Sequence, residues 1–311
     1  MKFVVIGTGR CGTSFLRDTL NNHPDCYVCS ESYWHIALLE KYGTGLAPVE
    51  NMLADIRAIR FHDGRSTLDA NLRLVGEPLP DFLDEIAAAW SGRMGSVRDT
   101  CSSIENALLK LSGKTVFGDK TPHYGFHLPE LRLLWPNLKV VHVVRDGRPC
   151  AISMSKHGGY QLLAALGVDD WTSVSRFADQ LLPQPPVTDL DVYLEMWGRQ
   201  ATRIASSIRS LPAATSLTVH YEAMLESPMT FFGRVAAFLE LGNAPMWLDA
   251  SSAGVTQPAG RLEGLEKLRP GAAAAHALQI FGYDENARPS LTASPRNLAR
   301  RVKDAFSRKM S

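Results

Sequence analysis

The stretch Gly7-Thr8-Gly9-Arg10-Cys11-Gly12-Thr13-Ser14 decides the fold of this chain of 311 residues. It follows the apolar run Phe3-Val4-Val5-Ile6 and precedes the helical pattern Phe15-Leu16-Arg17-Asp18-Thr19-Leu20. A strand, a glycine loop and a helix in this order are typical of a phosphate-binding loop. The glycines let the backbone close around an anion, and the start of the helix offers free N–H groups. We therefore expect the glycine loop, residues 7–14, to bind a phosphate group.

Two nucleotide-binding motifs fit the glycine loop. The spacing of its first and last glycines matches the Walker A pattern, but Thr13 stands where that pattern has lysine. An NTP-hydrolysing enzyme would then lack the cation that reaches the β- and γ-phosphates, although Arg10 can supply a charge. All three glycines also fit the GxGxxG fingerprint of dinucleotide-binding folds, with Glu31 near the expected acidic position. The loop alone does not separate the two interpretations.

The fold class follows from the spacing of apolar runs. The first run, residues 3–6, and a later one at 140–144 are almost wholly apolar, as in parallel strands that are buried on both faces. Strands that alternate with helical patterns predict a parallel α/β sheet. We predict a P-loop-type α/β fold with about five strands flanked by helices. The other predicted strands are residues 26–28, 115–117 and 216–219.

We predict one α/β domain over residues 1–283. Two long helical segments, 43–112 and 158–188, are predicted insertions, and such excursions frequently carry substrate specificity. Residues 284–311 predict a polar linker and a basic C-terminal helix. That helix either docks on its own core or binds a membrane or a partner.

Composition excludes several classes of protein. Lys plus Arg (33) nearly cancels Asp plus Glu (32), so we expect no nucleic-acid partner. No apolar stretch approaches the ~20 residues of a transmembrane helix and no signal-peptide pattern is present, so we expect a cytoplasmic location. Cys26 and Cys29 form a CxxC pair on a predicted strand, where side chains three residues apart point to opposite faces. We therefore expect packing cysteines and no metal site.

A second anion site follows the predicted strand 140–144. Arg145 leaves the carboxyl end of this strand, where ligands bind in open α/β sheets. Asp146 is a predicted helix N-cap, and Ser153 lies within that helix. An arginine and a serine at this edge make a second phosphate site through charge-assisted hydrogen bonds. A Rossmann dehydrogenase has no use for such a site, whereas a nucleotide phosphorylated at both its 5′ and 3′ ends needs it.

Together these motifs resemble the sulfotransferases that use 3′-phosphoadenosine 5′-phosphosulfate (PAPS). The run Arg10-Cys11-Gly12-Thr13-Ser14 is similar to the RSGTT-type loop that binds the 5′-phosphosulfate in that family, with Cys11 and Ser14 as departures. Arg145 and Ser153 match the pair that binds the 3′-phosphate. The likeness extends over most of residues 1–283 through three further segments, which are Gly118-Asp119-Lys120-Thr121-Pro122, Tyr221-Glu222 and Phe281-Gly282-Tyr283.

The resemblance implies PAPS as the sulfonate donor, with adenosine 3′,5′-bisphosphate (PAP) as product, and no metal. Residues 9–14, Arg145, Ser153 and Tyr221 would bind the nucleotide, and Arg261 would lie in a basic flap over it. The acceptor would be a hydroxyl or amine on a small molecule, glycan or peptide. The excursions at 43–112 and 158–188 would shape its pocket.

Glu31 is the first candidate for the base that deprotonates the acceptor. It matches the glutamate that has this role in the tyrosylprotein and carbohydrate-type sulfotransferases, and a well-placed base is worth ~10²–10⁴ in rate. His35 and His123 are the alternatives, because the cytosolic steroid and phenol sulfotransferases use histidine. Lys120 and Arg10 would neutralise the charge that grows on the departing phosphate.

Two other functions remain open at this point. A P-loop kinase acting on a small metabolite is disfavoured by the missing lysine and by the Arg145 and Ser153 pair. A non-catalytic nucleotide-binding module would keep the phosphate contacts and tolerate the loss of Glu31. Trp34, Tyr160 and Trp171 are candidates for apolar pocket walls, although core packing explains these aromatic residues equally well.

Overall fold

A five-stranded parallel sheet forms the centre of the molecule. The computed structural model describes residues 1–76, 81–171, 185–255 and 264–284. The strands are β1 (Phe3–Ile6), β2 (Cys26–Ser30), β5 (Val116–Lys120), β6 (Lys139–Val144) and β7 (Ser216–His220). Their order across the sheet is β2-β5-β1-β6-β7, and every neighbouring pair is parallel. The predicted α/β class and its five strands are confirmed, and β2 and β5 run further toward their carboxyl ends than predicted.

Helices flank this sheet and fill the connections between its strands. They are α1 (Thr13–Asn21), α2 (Trp34–Tyr42), α3 (Val49–Ala58), α4 (Thr67–Leu72), α5 (Phe82–Trp90), α6 (Val97–Ser112), α7 (Leu128–Leu134), α8 (Gly147–Met154), α9 (Gly158–Leu166), α10 (Leu190–Arg209), α11 (Tyr221–Glu226), α12 (Pro228–Leu239), α13 (Pro245–Ala253) and α14 (Ala272–Ile280).

The segment 43–112 contains more than the helices expected from its sequence. Besides α3 to α6 it holds two short antiparallel strands, β3 (Leu46–Pro48) and β4 (Met94–Ser96), which the sequence did not predict. The segment 158–188 begins with α9, and its residues 172–184 lie outside the described residues. The predicted linker and basic C-terminal helix also lie outside them from residue 285 onward.

The parallel register decides where the functional side chains meet. All four residues of β1 are buried, as expected for a central strand. Ser30 pairs with Lys120, and Val144 pairs with His220. The carboxyl ends of all five strands therefore lie along one edge, and ligands bind outside that edge in open α/β sheets.

Neither a membrane span nor a metal cluster occurs in the part of the chain that the structure describes. No helix there has the length and apolar character needed to cross a bilayer. The same ranges contain no group of three or more histidine, cysteine or acidic side chains arranged to hold a metal ion. Cys26 and Cys29 on β2 are free thiols with no exposed surface.

The five cysteines should be unreactive in the folded chain. All are free and buried, and burial raises the pKa of each thiol, for Cys26 to about 12. Because the thiolate is the reactive form, we expect labelling by Ellman's reagent to be slow at pH 7.5 and fast only after denaturation. Rapid labelling of Cys26 and Cys29 in the native protein would contradict the packing assigned to β2.

Candidate functional site

The glycine loop joins β1 to α1 in a conformation that favours glycine. Gly9 and Gly12 have φ values of 76° and 98°, and Arg10 between them also has a positive φ, 54°. Gly12 precedes α1 without a side-chain cap, and the first turn of α1 contains no acidic residue. The start of α1 is therefore suited to an external anion, which the helix dipole also favours.

Two tyrosine side chains enclose the glycine loop. The hydroxyl of Tyr160 donates a hydrogen bond to the carbonyl oxygen of Thr8, at 2.9 Å. A Cβ atom on Gly9 would lie 1.6 Å from this hydroxyl oxygen. A Cβ atom on Gly12 would lie 2.5 Å from the ring of Tyr221. The absence of side chains at both glycines thus allows the tyrosines to pack directly on the loop.

On the Tyr221 side of the loop lies the first of two clefts, which we call the arginine cleft. It encloses about 370 Å³ and opens at the carboxyl edge of the sheet. Its lining combines phosphate-loop residues, two arginines and a few apolar side chains: Arg10, Gly12, Thr13, Ser14, Phe15, Arg145, Ser153, Tyr221, Met224, Leu225 and Val255.

Two guanidinium groups face the arginine cleft without a carboxylate partner in the described ranges. Arg10 Nε donates to Ser153 Oγ at 2.9 Å. Arg145 Nη1 donates to the carbonyl oxygen of Arg10 at 3.3 Å, and the Arg145 guanidinium carbon lies 4.2 Å from the centre of the Tyr221 ring. Neither arginine forms an ion pair with any of the described residues. Because arginine is always charged, the described lining of the cleft carries positive charge that suits phosphate groups.

The strand end that carries Arg145 is held by a small hydrogen-bond network. Asp146 caps α8 by accepting a hydrogen bond from the Arg148 N–H at 2.9 Å, as predicted. The carboxylate of Glu222 accepts from the Asp146 N–H at 3.1 Å and from the Tyr283 hydroxyl at 2.9 Å. The two late sequence motifs, Tyr221-Glu222 and Phe281-Gly282-Tyr283, therefore meet behind this strand end.

On the Tyr160 side of the loop lies the second cleft, which we call the aromatic cleft. Arg10, Thr13 and Ser14 border both clefts. The complete lining of the aromatic cleft is Gly9, Arg10, Thr13, Ser14, Glu31, Tyr33, Phe61, His62, Pro122, His123, His157, Gly159, Tyr160, Leu163 and Trp171.

A carboxylate and a buried ammonium group meet at the aromatic cleft. Lys120, the last residue of β5, is 1% exposed and forms an ion pair with Glu31. The Glu31 N–H also donates to the Lys120 carbonyl oxygen at 2.8 Å, which continues the β2–β5 pairing. Glu31 has a φ of 51°, a strained conformation of the kind found at functional sites. The Glu31 side chain is therefore held in position at the cost of an unfavourable backbone conformation.

The ion pair determines the protonation state of Glu31. Burial raises the pKa of this carboxyl, but Lys120 outweighs that effect through its charge and hydrogen bond. The Tyr33 hydroxyl adds a hydrogen bond of 3.0 Å, and the net effect lowers the pKa of Glu31 to about 2. In the ligand-free chain Glu31 is therefore a fully ionised carboxylate, and the nearby ammonium weakens it as a base.

The structure places most of the predicted site residues on these two clefts. Lys120 lines neither cleft directly and reaches the aromatic cleft through Glu31. Cys11 has no exposed surface, so only its backbone can contribute. Arg261 lies outside the described residues. The predicted residues that line a cleft are Gly9, Arg10, Gly12, Thr13, Ser14, Glu31, His123, Arg145, Ser153 and Tyr221.

Two other candidates lie in the core rather than at a cleft. His35 has no exposed surface, and its ring nitrogens lie within hydrogen-bond distance of Ser32, Tyr124 and Trp34. Trp34 is equally buried, so the hypothesis that it forms a pocket wall is wrong. The other two aromatic candidates, Tyr160 and Trp171, do line the aromatic cleft.

Sequence reasoning missed four aromatic residues of the aromatic cleft, with histidine counted as aromatic, and also Gly159 and Leu163. Of the four, Tyr33 follows β2, Phe61 and His62 lie in the segment 43–112, and His157 directly precedes α9. His62 and His157 lie with ring centres 4.8 Å apart, and burial, reinforced by His62, lowers the pKa of His157 to about 4. Only the nearness of Tyr33 to Glu31 along the chain could have suggested one of the four.

Comparison with known proteins identifies the family. A family model described as the sulfotransferase family matches residues 3–245. The chain belongs to the sulfotransferase family. Transfer of a sulfonate group is therefore the general activity of this sulfotransferase. A search of curated proteins finds no match to it.

Solved structures agree with this sulfotransferase in fold. The sulfotransferase domain of the Synechococcus PCC 7002 olefin synthase is 16% identical, with a TM-score of 0.55 over 91% of this chain and 94% of that one. The sulfotransferase domain from the curacin biosynthetic pathway is 13% identical, with a TM-score of 0.51 over 97% of each chain. At these identities the likeness shows the fold alone, and it supports the P-loop-type α/β class.

The contact between the glycine loop and its tyrosines can be tested with single methyl groups. Gly9→Ala and Gly12→Ala each add a Cβ to a left-handed backbone, which costs ~1–2 kcal/mol, and each also collides with a tyrosine ring or hydroxyl. We expect both variants to lower the midpoint of urea unfolding.

Gly233→Ala is the matched control, because Gly233 lies within α12 and a Cβ there meets no atom within 4 Å. It should raise stability by ~0.5–1 kcal/mol, the usual gain for alanine over glycine in a helix. Unchanged midpoints for the two loop variants would contradict the packing described for the loop.

Proposed function

We propose that this chain is a PAPS-dependent sulfotransferase that transfers the sulfonate group of PAPS to a hydroxyl or amine acceptor and releases PAP. One observation carries the proposal: Arg10 and Arg145 face the arginine cleft beside an uncapped helix N-terminus, and neither is paired with a carboxylate among the described residues. A ligand with two separate anionic groups can pair with Arg10 at the start of α1 and with Arg145.

The 5′-phosphosulfate would bind at the glycine loop. The free N–H groups of the first turn of α1 point to an anion at this position, and Arg10 adds a formal charge. Because Arg10 borders both clefts, a phosphosulfate held there would reach from the arginine cleft toward the aromatic cleft. The transferable sulfur would then face Glu31.

The 3′-phosphate would bind between Arg145 and Ser153. The Arg145 guanidinium lies on the ring of Tyr221, which orients its plane and leaves its edge for a phosphate. Ser153 now accepts a hydrogen bond from Arg10, and its hydroxyl proton remains free to donate to a phosphate oxygen. This second anionic site distinguishes PAPS from a nucleoside triphosphate.

Glu31 and Lys120 would perform the chemistry. Glu31 takes the proton of the acceptor group while the acceptor atom forms its bond to sulfur. The bond between sulfur and the 5′-phosphate oxygen breaks, and its electron pair stays on PAP, where Arg10 and Lys120 stabilise the charge. A phosphosulfate that draws Lys120 toward itself also weakens the ion pair, which raises the pKa of Glu31 and makes it a stronger base. The base is thus activated only when the donor is in place.

Nucleotide binding provides the first test. We expect isothermal titration calorimetry to show micromolar binding of PAP without magnesium and poor binding of ADP, because only PAP has a 3′-phosphate for Arg145. Arg145→Ala should weaken PAP binding by ~1.5–3 kcal/mol, the range for a hydrogen bond to a charged group. Arg57→Ala is the control, since Arg57 is exposed and pairs with Asp84 in the helical segment 43–112.

Magnesium-dependent ADP binding that ignores the 3′-phosphate would point to a small-metabolite kinase instead. PAP binding without any transfer of sulfonate from PAPS would point to a non-catalytic nucleotide-binding module.

The role of Glu31 can be separated from nucleotide binding. Glu31→Gln removes the proton acceptor but keeps the size and hydrogen bonding of the side chain, so we expect turnover to fall by ~10²–10⁴ while PAP affinity is retained. Transfer of radiolabelled sulfonate from PAPS to a panel of phenols, sugars, lipids and peptides measures the turnover. Glu50→Gln, on the exposed start of α3, is the control. A fully active Glu31→Gln enzyme beside an inactive His123→Ala enzyme would show that the base is His123.

A further inference from the structure

His123 lies on the wall of the aromatic cleft together with Glu31. It belongs to the 3₁₀ turn Pro122–Phe126, which follows Lys120 at the end of β5. The residue is only 4% exposed, and its ring stacks on Phe126 with centres 5.3 Å apart. The ring therefore has a fixed place beside the proposed acceptor position.

The contacts of Nδ1 determine which ring nitrogen of His123 carries the proton. The backbone N–H of Trp171 donates a hydrogen bond to Nδ1 at 2.8 Å, so this nitrogen presents its lone pair and carries no proton. A carboxylate oxygen of Asp170 is 3.8 Å from Nδ1, which is too far for a hydrogen bond. In the neutral ring the single proton is consequently on Nε2.

Nε2 is the unusual atom of this ring. It is buried, and it has no hydrogen-bond partner in the ranges that the structure describes. A buried N–H group without a partner costs ~1–3 kcal/mol, so such groups are uncommon in native proteins. At the wall of a substrate cleft, the missing partner is most simply an oxygen of the substrate.

The environment of the ring favours its neutral form. Burial lowers the pKa of His123, and His127 acts in the same direction. The carboxylates of Asp170, Glu31 and Asp169 act in the opposite direction, but the net direction is downward. With the Nδ1 lone pair engaged by Trp171 and a proton on Nε2, the ring has no free lone pair with which to accept a proton.

We propose that His123 is a hydrogen-bond donor to the acceptor substrate, through Nε2–H to the same hydroxyl oxygen that Glu31 deprotonates. The inference rests on the proposed function and narrows it. A hydroxyl oxygen has lone pairs to accept this bond and a proton to give to Glu31. An alkylammonium group has no lone pair, so it would leave Nε2–H unsatisfied. The site therefore selects alcohols or phenols over alkylamines.

The other residues of the aromatic cleft indicate the chemical character of the acceptor beyond its hydroxyl group. Tyr33, Phe61, Leu163 and Trp171 present mainly apolar surface around Glu31 and His123. Arg10 and Glu31 are the charged residues among its lining. An apolar or aromatic alcohol buries its carbon framework against these side chains.

Nitrogen-15 NMR of the full chain with labelled histidine tests the tautomer directly. The chain has nine histidines, and loss of a signal in His123→Gln assigns the ring of interest. At pH 7, with PAP bound, we expect the proton of His123 on Nε2 and none on Nδ1. Addition of benzyl alcohol should shift the Nε2 resonance and leave Nδ1 nearly unchanged. A proton on Nδ1, or a charged ring at pH 7, overturns the proposal.

Kinetics with a matched alcohol and amine test the predicted preference for alcohols over alkylamines. We expect kcat/KM for transfer from PAPS to be at least about tenfold higher for benzyl alcohol than for benzylamine, which is cationic at pH 7. His123→Leu should lower kcat/KM for the alcohol by about ten- to a hundredfold without changing PAP affinity, the effect of one buried hydrogen bond. His123→Gln, which keeps an N–H donor, should retain more activity. Equal rates for both acceptors overturn the proposal.

His127→Gln is the matched control for these variants. His127 also pairs with Asp170, with Nε2 2.7 Å from Oδ2, but it lies outside the aromatic cleft and should leave transfer unchanged. The proposed function and the role of His123 can be refuted independently of each other. Failure of the parent chain to bind PAP would remove the proposed function and leave the tautomer result standing, whereas PAP binding with a proton on Nδ1 would remove only the role of His123.

Discussion

Positive charge at one edge of a parallel sheet, with no carboxylate partner among the described residues, is the constraint on which the rest of this structure depends. Arg10 and Arg145 leave neighbouring strands, β1 and β6, and both face the arginine cleft. Two guanidinium groups that line one cleft, with no carboxylate partner in the described ranges, are stabilised by an anion that binds near both. The uncapped start of α1 adds a further partial positive charge at the same place. The described lining of the arginine cleft is therefore suited to a ligand with two or more negative charges.

The glycine loop lies between two clefts that differ in charge. Tyr221 packs on one side of the loop and Tyr160 on the other, and each contact requires a glycine. The arginine cleft beyond Tyr221 is cationic, whereas the aromatic cleft beyond Tyr160 contains the carboxylate of Glu31. In the proposed function the sulfonate donor binds in the arginine cleft and Glu31 accepts the proton at the aromatic cleft, with the glycine loop between them.

Much of the fold and part of the site could be predicted from the sequence, because they depend on local patterns. Apolar runs and glycine spacing indicated the strands and the loop, and Asp146 was recognisable as a helix cap. The strands β3 and β4 were not predicted because each has only three residues. The pairing of Glu31 with Lys120 depends on the register of β2 against β5, which no local pattern encodes.

The aromatic cleft was the least predictable part of the site. Tyr160 contacts a loop more than a hundred residues earlier in the chain, and the hydrogen bond from Trp171 to His123 likewise joins distant segments. Trp34, which the sequence could not distinguish from these aromatic residues, packs in the core instead. An aromatic residue in an excursion has the same appearance in sequence whether it lines a cleft or fills a core.

A crystal structure from crystals soaked with PAP most directly tests the claim that the arginine cleft binds a nucleotide with two separate phosphates. The account predicts the 5′-phosphate on the N–H groups at the start of α1 and the 3′-phosphate between the Arg145 guanidinium and the Ser153 hydroxyl. Density for PAP elsewhere, or an Arg145 side chain turned to solvent while the nucleotide is bound, would contradict it.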